Sequence, residues 1–332
     1  QQTHQMKKIL YTIILLLIVA SACKQKPKPD IQTEQDNFYI ADFNADSAYA
    51  YIAQQTAFGP RVPNTPAHKA CADYLIGKMQ SFSDTLMVQD FTVKAYDGTL
   101  LYGKNIIACF HPEQKSRILL GAHWDSRPYA DHDPNPANHR TPIDGANDGA
   151  SGVGVLMEIA RQLSIKNPNI GIDIIFFDVE DYGAPQNSEE SYQGEFWCLG
   201  SQHWAKNQHV RNYNARFGIL LDMVGGENAV FTREGTSNFY APDILNKVWN
   251  IATRLGYSAF FKNTETPPIT DDHLYINRLT NIPMIDIIEY NASSSTGFNR
   301  HWHTLNDNLT NIDKNTLLAV GKVTLTTVYN EK

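Results

Sequence analysis

Carboxylates and imidazoles follow the apolar runs of this chain in a pattern that could hold a metal ion. The run 117–122 ends in His123-Trp124-Asp125-Ser126, the run 172–177 in Asp178-Val179-Glu180-Asp181, and the run 217–221 in Asp222. Asp144-Gly145-Ala146-Asn147-Asp148-Gly149-Ala150-Ser151-Gly152 adds a turn whose glycines permit a tight bend and set Asp148 just ahead of a helix. Arg300-His301-Trp302-His303-Thr304 follows the last apolar run. Catalytic zinc takes three nitrogen or oxygen ligands and keeps a fourth position open, so His and Asp can build such a site without cysteine. Glu180 and Asp181 are neighbours. One of them can ligate while the other stands beside the substrate as a proton shuttle. Each residue also has an ordinary reading: Asp148 as a helix N-cap, His303 as loop decoration, the acidic pair as a solvated turn. Their shared place after apolar runs favours a site.

The elements that would position these residues alternate along the chain. Helical patterns cover 47–55, 66–80, 149–163, 242–255 and 315–329, and strand patterns cover 91–95, 105–110, 117–122, 172–177, 217–221 and 284–288. The runs 172–177 and 217–221 are almost continuously apolar, as in a sheet covered by helices on both faces. This alternation predicts an α/β fold, a three-layer αβα domain with a central, largely parallel mixed sheet. Ligands of such sheets bind outside the carboxyl ends of the strands, where the polar clusters fall.

With 332 residues, 42% hydrophobic and 11% aromatic, the chain can bury a substantial core and is not a disordered one. Its net charge of −7, with no basic stripe, argues against nucleic acid as the main partner. Met6-Lys7-Lys8 and the apolar run 9–22 read as a secretory signal, too short to span a bilayer. It ends in Val19-Ala20-Ser21-Ala22-Cys23, which is similar to a bacterial lipobox with Ala20 in place of the preferred leucine. The expectation is an exported protein anchored to the cell envelope of a Gram-negative bacterium through lipidated Cys23. A signal would cover 1–23, a polar, proline-bearing tether 24–44 and a catalytic domain 45–332. Cys71, Cys109 and Cys198 have no close pairing spacing and read as small core residues.

In order and spacing, the clusters around His123, Asp148, Glu180, Asp222 and His303 resemble the zinc aminopeptidase superfamily over nearly the whole chain after the tether. That superfamily has two branches, di-zinc aminopeptidases and zinc-dependent glutaminyl cyclases. Asp271-Asp272-His273 is similar to the double-aspartate motif of the cyclases, and Trp302-His303-Thr304 to their Trp-His-Thr signature. Ser126-Arg127-Pro128-Tyr129-Ala130-Asp131 resembles bacterial cyclases. The cyclase resemblance implies conversion of the N-terminal glutamine of peptides and proteins into pyroglutamate, with release of ammonia. It implies one zinc per chain on Asp148, Asp181 and His303, and Glu180 as general base and then acid. Asp222 and Asp271 would form a carboxylate network sharing a proton, and Trp302, Phe298 and Trp197 would wall the substrate pocket. His123 matches a second-metal ligand of the peptidases and would persist without that metal, oriented by Asp125. Asp181 departs from the glutamate common at its position. The aminopeptidase branch would instead place a second zinc on His123 and Asp222, bridged by Asp148. A non-catalytic lipoprotein would not need a base beside the metal.

Overall fold

A computed structural model describes residues 38–186 and 192–332. The expected signal, Cys23 and most of the expected tether lie outside the described residues. Residues 39–44, assigned by composition to the tether, are packed: Ala41 is buried, and Tyr39 and Ala41 donate their backbone N–H groups to Asn330 and Thr326.

Two helices open the domain, α1 (Ala45–Thr56) and α2 (Pro66–Phe82), capped by Asn44 and Thr65. Strands β1 (Thr85–Lys94), β2 (Leu100–Phe110) and β3 (Arg117–His123) precede helix α3 (Ala150–Ile165) and strand β4 (Gly171–Phe177). Helix α4 (Leu199–Lys206) leads to β5 (Gly218–Asp222). A smaller unit follows, with β6 (Phe231–Glu234), α5 (Gly235–Tyr240), α6 (Pro242–Arg254) and β7 (Phe261–Thr266). Helix α7 (Asp272–Leu279), strand β8 (Met284–Ile288) and helix α8 (Lys314–Tyr329) complete the chain.

The central sheet has the order β1-β2-β4-β3-β5-β8. β4, β3, β5 and β8 pair in parallel, while β1–β2 and β2–β4 are antiparallel. The sheet is therefore mixed and largely parallel where the site lies. Every residue of β3, β4, β5 and β8 is buried, which explains their near-continuous apolar runs. Helix α3 crosses β3, β4 and β5 on one face, flanked by α1, α2 and α8. On the other face Trp204 of α4 and Ile276 of α7 share a core with Leu119, Ile175, Phe177 and Leu220.

Two glycines set how closely α3 approaches the sheet. A Cβ on Gly152 would lie 2.1 Å from the Leu221 carbonyl oxygen, so only glycine fits between α3 and β5. Gly149 has φ of +92° and caps α3, and a Cβ there would meet the Asp125 carbonyl at 2.6 Å. The helix therefore starts one residue later than its sequence pattern indicates, and Asp148 is freed from the N-cap role.

Candidate active site

The carboxyl ends of β3, β4 and β5 deliver His123, the Glu180–Asp181 pair and Asp222 to one edge of the sheet. The turn before α3 brings Asp148, and the loop after β8 brings His303. A cavity of about 550 Å³ opens there, lined by Asp148, Glu180, Asp181, Asp222, Asp271 and His303 together with Trp197, Phe298 and Trp302. All nine residues proposed from sequence thus face one space. His123 lies just behind it, buried between Asp148 and Asp222.

Backbone strain is concentrated at these positions. Val179, Met223 and His303 have φ of 55°, 48° and 53°, a region disfavoured for side chains of this size. Compensating hydrogen bonds hold the turns. The Asp125 carboxylate accepts the backbone N–H groups of Glu180 (3.0 Å) and Asp181 (3.1 Å). The Asp307 carboxylate accepts those of Asn147 (2.7 Å) and Asp148 (3.0 Å).

Two trios of donor atoms share Asp148. His303 Nε2 lies 3.4 Å from both Asp148 Oδ2 and Asp181 Oδ1, while His303 Nδ1 faces Asp131 at 3.3 Å. His123 Nε2 lies 3.0 Å from Asp148 Oδ1 and 3.2 Å from Asp222 Oδ1, with Nδ1 3.4 Å from Asp125. Burial pushes Asp148 up, but hydrogen bonds from His123 and His303 outweigh it and hold the carboxyl below its usual range. Burial and Arg127 push His303 down, yet the carboxylates of Asp181, Asp131 and Asp148 raise it to about 10.

Glu180 is held well above the ordinary carboxylate range, first by burial and then by the charges of Asp181, Asp271 and Asp272, with His123 opposing. Burial and the Asp271 charge push Asp222 up to about 7. Asp286, both of whose carboxylate oxygens are buried without a hydrogen-bond partner, is raised by burial first and then by the charges of Asp271 and Asp222. Crowded carboxylates that cannot all ionise retain protons among them.

The model for peptidase family M28 matches residues 105–328 of this chain. The chain belongs to peptidase family M28. A Zn-dependent exopeptidase from Parabacteroides distasonis is 57% identical, with 88% of this chain and 100% of that one covered and a TM-score of 0.87. The glutaminyl cyclase of Bacteroides thetaiotaomicron bound to N-acetylhistamine is 56% identical, covering 89% and 100% with a TM-score of 0.86. That of Tannerella forsythia is 55% identical, covering 88% and 100% with the same TM-score.

This M28 chain has a donor set suited to zinc. With ligand bonds of about 2.1 Å, tetrahedral zinc sets its ligands about 3.4 Å apart, the spacing of His303 Nε2 from each of its two aspartates. Asp181 Oδ2 is buried without a hydrogen-bond partner, an arrangement that is costly unless a positive charge faces it. The second trio is drawn closer, into direct hydrogen bonds. Asp131, 3.3 Å from His303 Nδ1, stands where a carboxylate would orient a metal-binding imidazole.

Trp302 stacks on His303 with ring centroids 3.7 Å apart and meets Phe298 at 4.7 Å. Trp197 lies nearly parallel to His303, at 9° and 6.5 Å. Arg127, fully buried, places its guanidinium 4.8 Å from the Trp197 ring centre and binds Asp131 through Nε (2.8 Å) and Nη2 (2.6 Å). It also donates to the Asp181 carbonyl at 3.1 Å. Sequence reasoning assigned no site role to Arg127, Asp131 or Asp307 and read Cys198 as a small core residue. Cys71, Cys109 and Cys198 are free and buried, but the Cys198 thiol donates to Glu180 Oε1 at 3.0 Å. The run Ser126 to Asp131, with its resemblance to bacterial cyclases, was the available signal for that pair. For Cys198 and Asp307 the sequence carried none.

Proposed function

We propose that this chain is a zinc-dependent glutaminyl-peptide cyclotransferase that converts N-terminal glutamine of peptides and proteins to pyroglutamate. The observation that carries the reading is the unequal spacing of the two donor trios. Asp148, Asp181 and His303 stand at zinc-ligand spacing, whereas His123 is closed by hydrogen bonds onto Asp148 and Asp222. That favours one zinc per chain, beside a carboxylate base and under an aromatic wall. The similarity to two bacterial glutaminyl cyclases supports the same activity.

When bound by Asp148, Asp181 and His303, zinc supplies Lewis acidity toward a carbonyl oxygen at its open position. Glu180 takes a proton from the α-amine as its nitrogen bonds to the side-chain amide carbon. It returns that proton to the amide nitrogen as the old C–N bond breaks, and ammonia leaves. Raised affinity for the proton suits a group that must first take and then return it. Asp222 and Asp271 stand beside Glu180, and the charge of Asp271 raises the proton affinity of both Glu180 and Asp222. Trp302, Phe298 and Trp197 shape the cavity around the folded glutamine side chain. The attack is intramolecular, so fixing one rotamer lowers much of the barrier.

A second reading, the di-zinc aminopeptidase, is favoured by one observation: His123, Asp148 and Asp222 also form a buried group of potential ligands. Elemental analysis with turnover of Gln-Ala and Leu-Ala separates the two. About one zinc per chain, with pyroglutamate and ammonia from Gln-Ala, is expected; about two zincs with release of leucine would replace the cyclase by the peptidase. His123→Ala sharpens the test, because it leaves the zinc count near one in a cyclase and removes a metal in a peptidase.

Export and lipid anchoring at Cys23 belong to the same proposal, on the strength of the apolar run 9–22 and the small residues before Cys23.

A further inference from the structure

Beside the active-site cavity lies a second one of about 480 Å³. Two chain segments line both. β7 presents Lys262, Thr264 and Thr266 to the second cavity, residues two apart on one face of a strand, and its continuation, Pro267 to Asp271, forms a wall of the first. Tyr290 borders both spaces; the loop beyond it lines the first cavity at 294–298 and returns to the second at Asn299. The second cavity therefore continues the first along β7, with Tyr290 between them.

Its chemistry differs from that of the first. Threonine hydroxyls and asparagine amides predominate, and Thr232 and Thr266 share a hydrogen bond at 2.7 Å. Two cations, Lys262 and Arg300, share the lining with Glu227, which Arg300 Nη2 approaches to 4.0 Å, and with Glu289, whose carboxyl burial pushes up to about 7. Both Glu289 oxygens lie 3.0 Å from Asn299 Nδ2, so this carboxylate is already engaged. A lining with mixed charge and many neutral donors and acceptors does not select an ionic ligand. It suits the repeating N–H and C=O groups of an extended polypeptide.

We propose that this trough binds the backbone of the residues that follow the substrate's N-terminal residue. The inference rests on the reading that the first cavity takes a peptide's amino terminus; Tyr290, which borders both cavities, then gives the following residues a path into the trough. Part of the binding free energy of a long substrate would come from the trough rather than from the glutamine pocket.

The test compares the amide of Gln-Ala with Gln-(Ala)5-amide on the zinc-loaded enzyme. We expect kcat/KM of the longer substrate to be higher by about tenfold, equivalent to about 1.4 kcal/mol. Thr264→Trp, an exposed position on β7, fills the trough and is expected to abolish that advantage while leaving the dipeptide amide within about twofold. Lys262→Trp repeats the obstruction two residues along the same face. Equal kcat/KM for both lengths in the unmodified enzyme overturns the proposal, as does an undiminished length dependence in both folded variants. Failure of the cyclase reading is distinct: amino-acid release in place of pyroglutamate would change the product, while the length dependence would still report on the trough.

Discussion

Glu180 is fixed at three points. Asp125 accepts its N–H, the Cys198 N–H donates to its carbonyl at 2.9 Å, and the Cys198 thiol donates to Oε1. Cys198 is itself in the left-handed region, at φ of 56°, and burial pushes its thiol well above the usual range, so it stays a donor. Glu180→Gln keeps size and most packing but cannot carry a proton. It is expected to retain the fold and the zinc and to lose about 10²–10⁴-fold in kcat, measured as ammonia release at saturating substrate. Retention of near-normal kcat would remove Glu180 from the chemistry. Cys198→Ala is expected to lower kcat by about tenfold, the worth of one hydrogen bond to a carboxylate, with KM within about twofold. Cys198→Ser restores the donor, and its kcat should lie closer to the unmodified value than that of the alanine variant; two equally slow variants would make Cys198 a packing residue only. The ligand candidates were legible because each follows a buried strand or a glycine-rich turn. Their supports were not, since Asp307 reaches Asp148 across 159 positions of sequence and nothing local marks it.

At the scale of elements, legibility followed burial. The strand at 284–288 has the bounds read from sequence, and β3, β4 and β5 differ by a residue or so, because strands buried on both faces are written as apolar runs. β1 begins at Thr85 rather than 91, since no residue in the first half of this edge strand is fully buried and the apolar run there is only three residues long, yet it pairs with β2 throughout. β7 was missed for the same reason: Phe-Lys-Asn-Thr-Glu-Thr is exposed at four of six positions. The short helices α4 and α7 are eight residues each, too short for a clear period. The junction of β6, α5 and α7 carries its own test. Glu234 caps α5 by accepting the N–H groups of Thr236 and Ser237, and it binds His273 Nε2 at 3.0 Å. Burial pushes Glu234 up, but the His273 contact and the bonds from Ser237 outweigh it and bring it down to about 2. A carboxylate depressed on folding stabilises the folded state above its unfolded pKa of about 4.3, and that contribution disappears as pH falls toward 2. Glu234→Gln is therefore expected to lower the melting temperature at pH 7, by the equivalent of about 3 kcal/mol at most. The gap between the two proteins should narrow steadily below about pH 4. A gap that stays constant from pH 7 to pH 3 would show that the Glu234 charge contributes nothing.

At the scale of the whole molecule, α8 links the site to the first packed residues of the domain. Its first turn lies at the site end, where the Asp313 N–H donates to the Gly225 carbonyl and the Gly225 N–H donates to the Asn147 side chain, next to Asp148. Its last turn holds the start of the packed domain, through Asn330 and Thr326 to Tyr39 and Ala41. Sixteen residues at 1.5 Å each place these ends about 24 Å apart. Tyr39 and Ala41 thus sit at the end of α8 away from the turn that carries Asp148. Among the described residues no helix is long and apolar enough to cross a membrane. The proposed anchoring through Cys23 is expected to affect where the protein resides and not how fast it turns over. Cys23→Ser should move the protein out of detergent-extracted membrane fractions or leave its signal uncleaved, while kcat/KM on Gln-Ala amide stays within about twofold, far below the 1.4 kcal/mol that a tenfold change represents. Intact-mass measurement of native protein should find acyl chains on an N-terminal Cys23. A mature chain starting elsewhere and free of lipid would end the anchoring proposal, and a large loss of activity in released Cys23→Ser protein would overturn the separation of anchor from site.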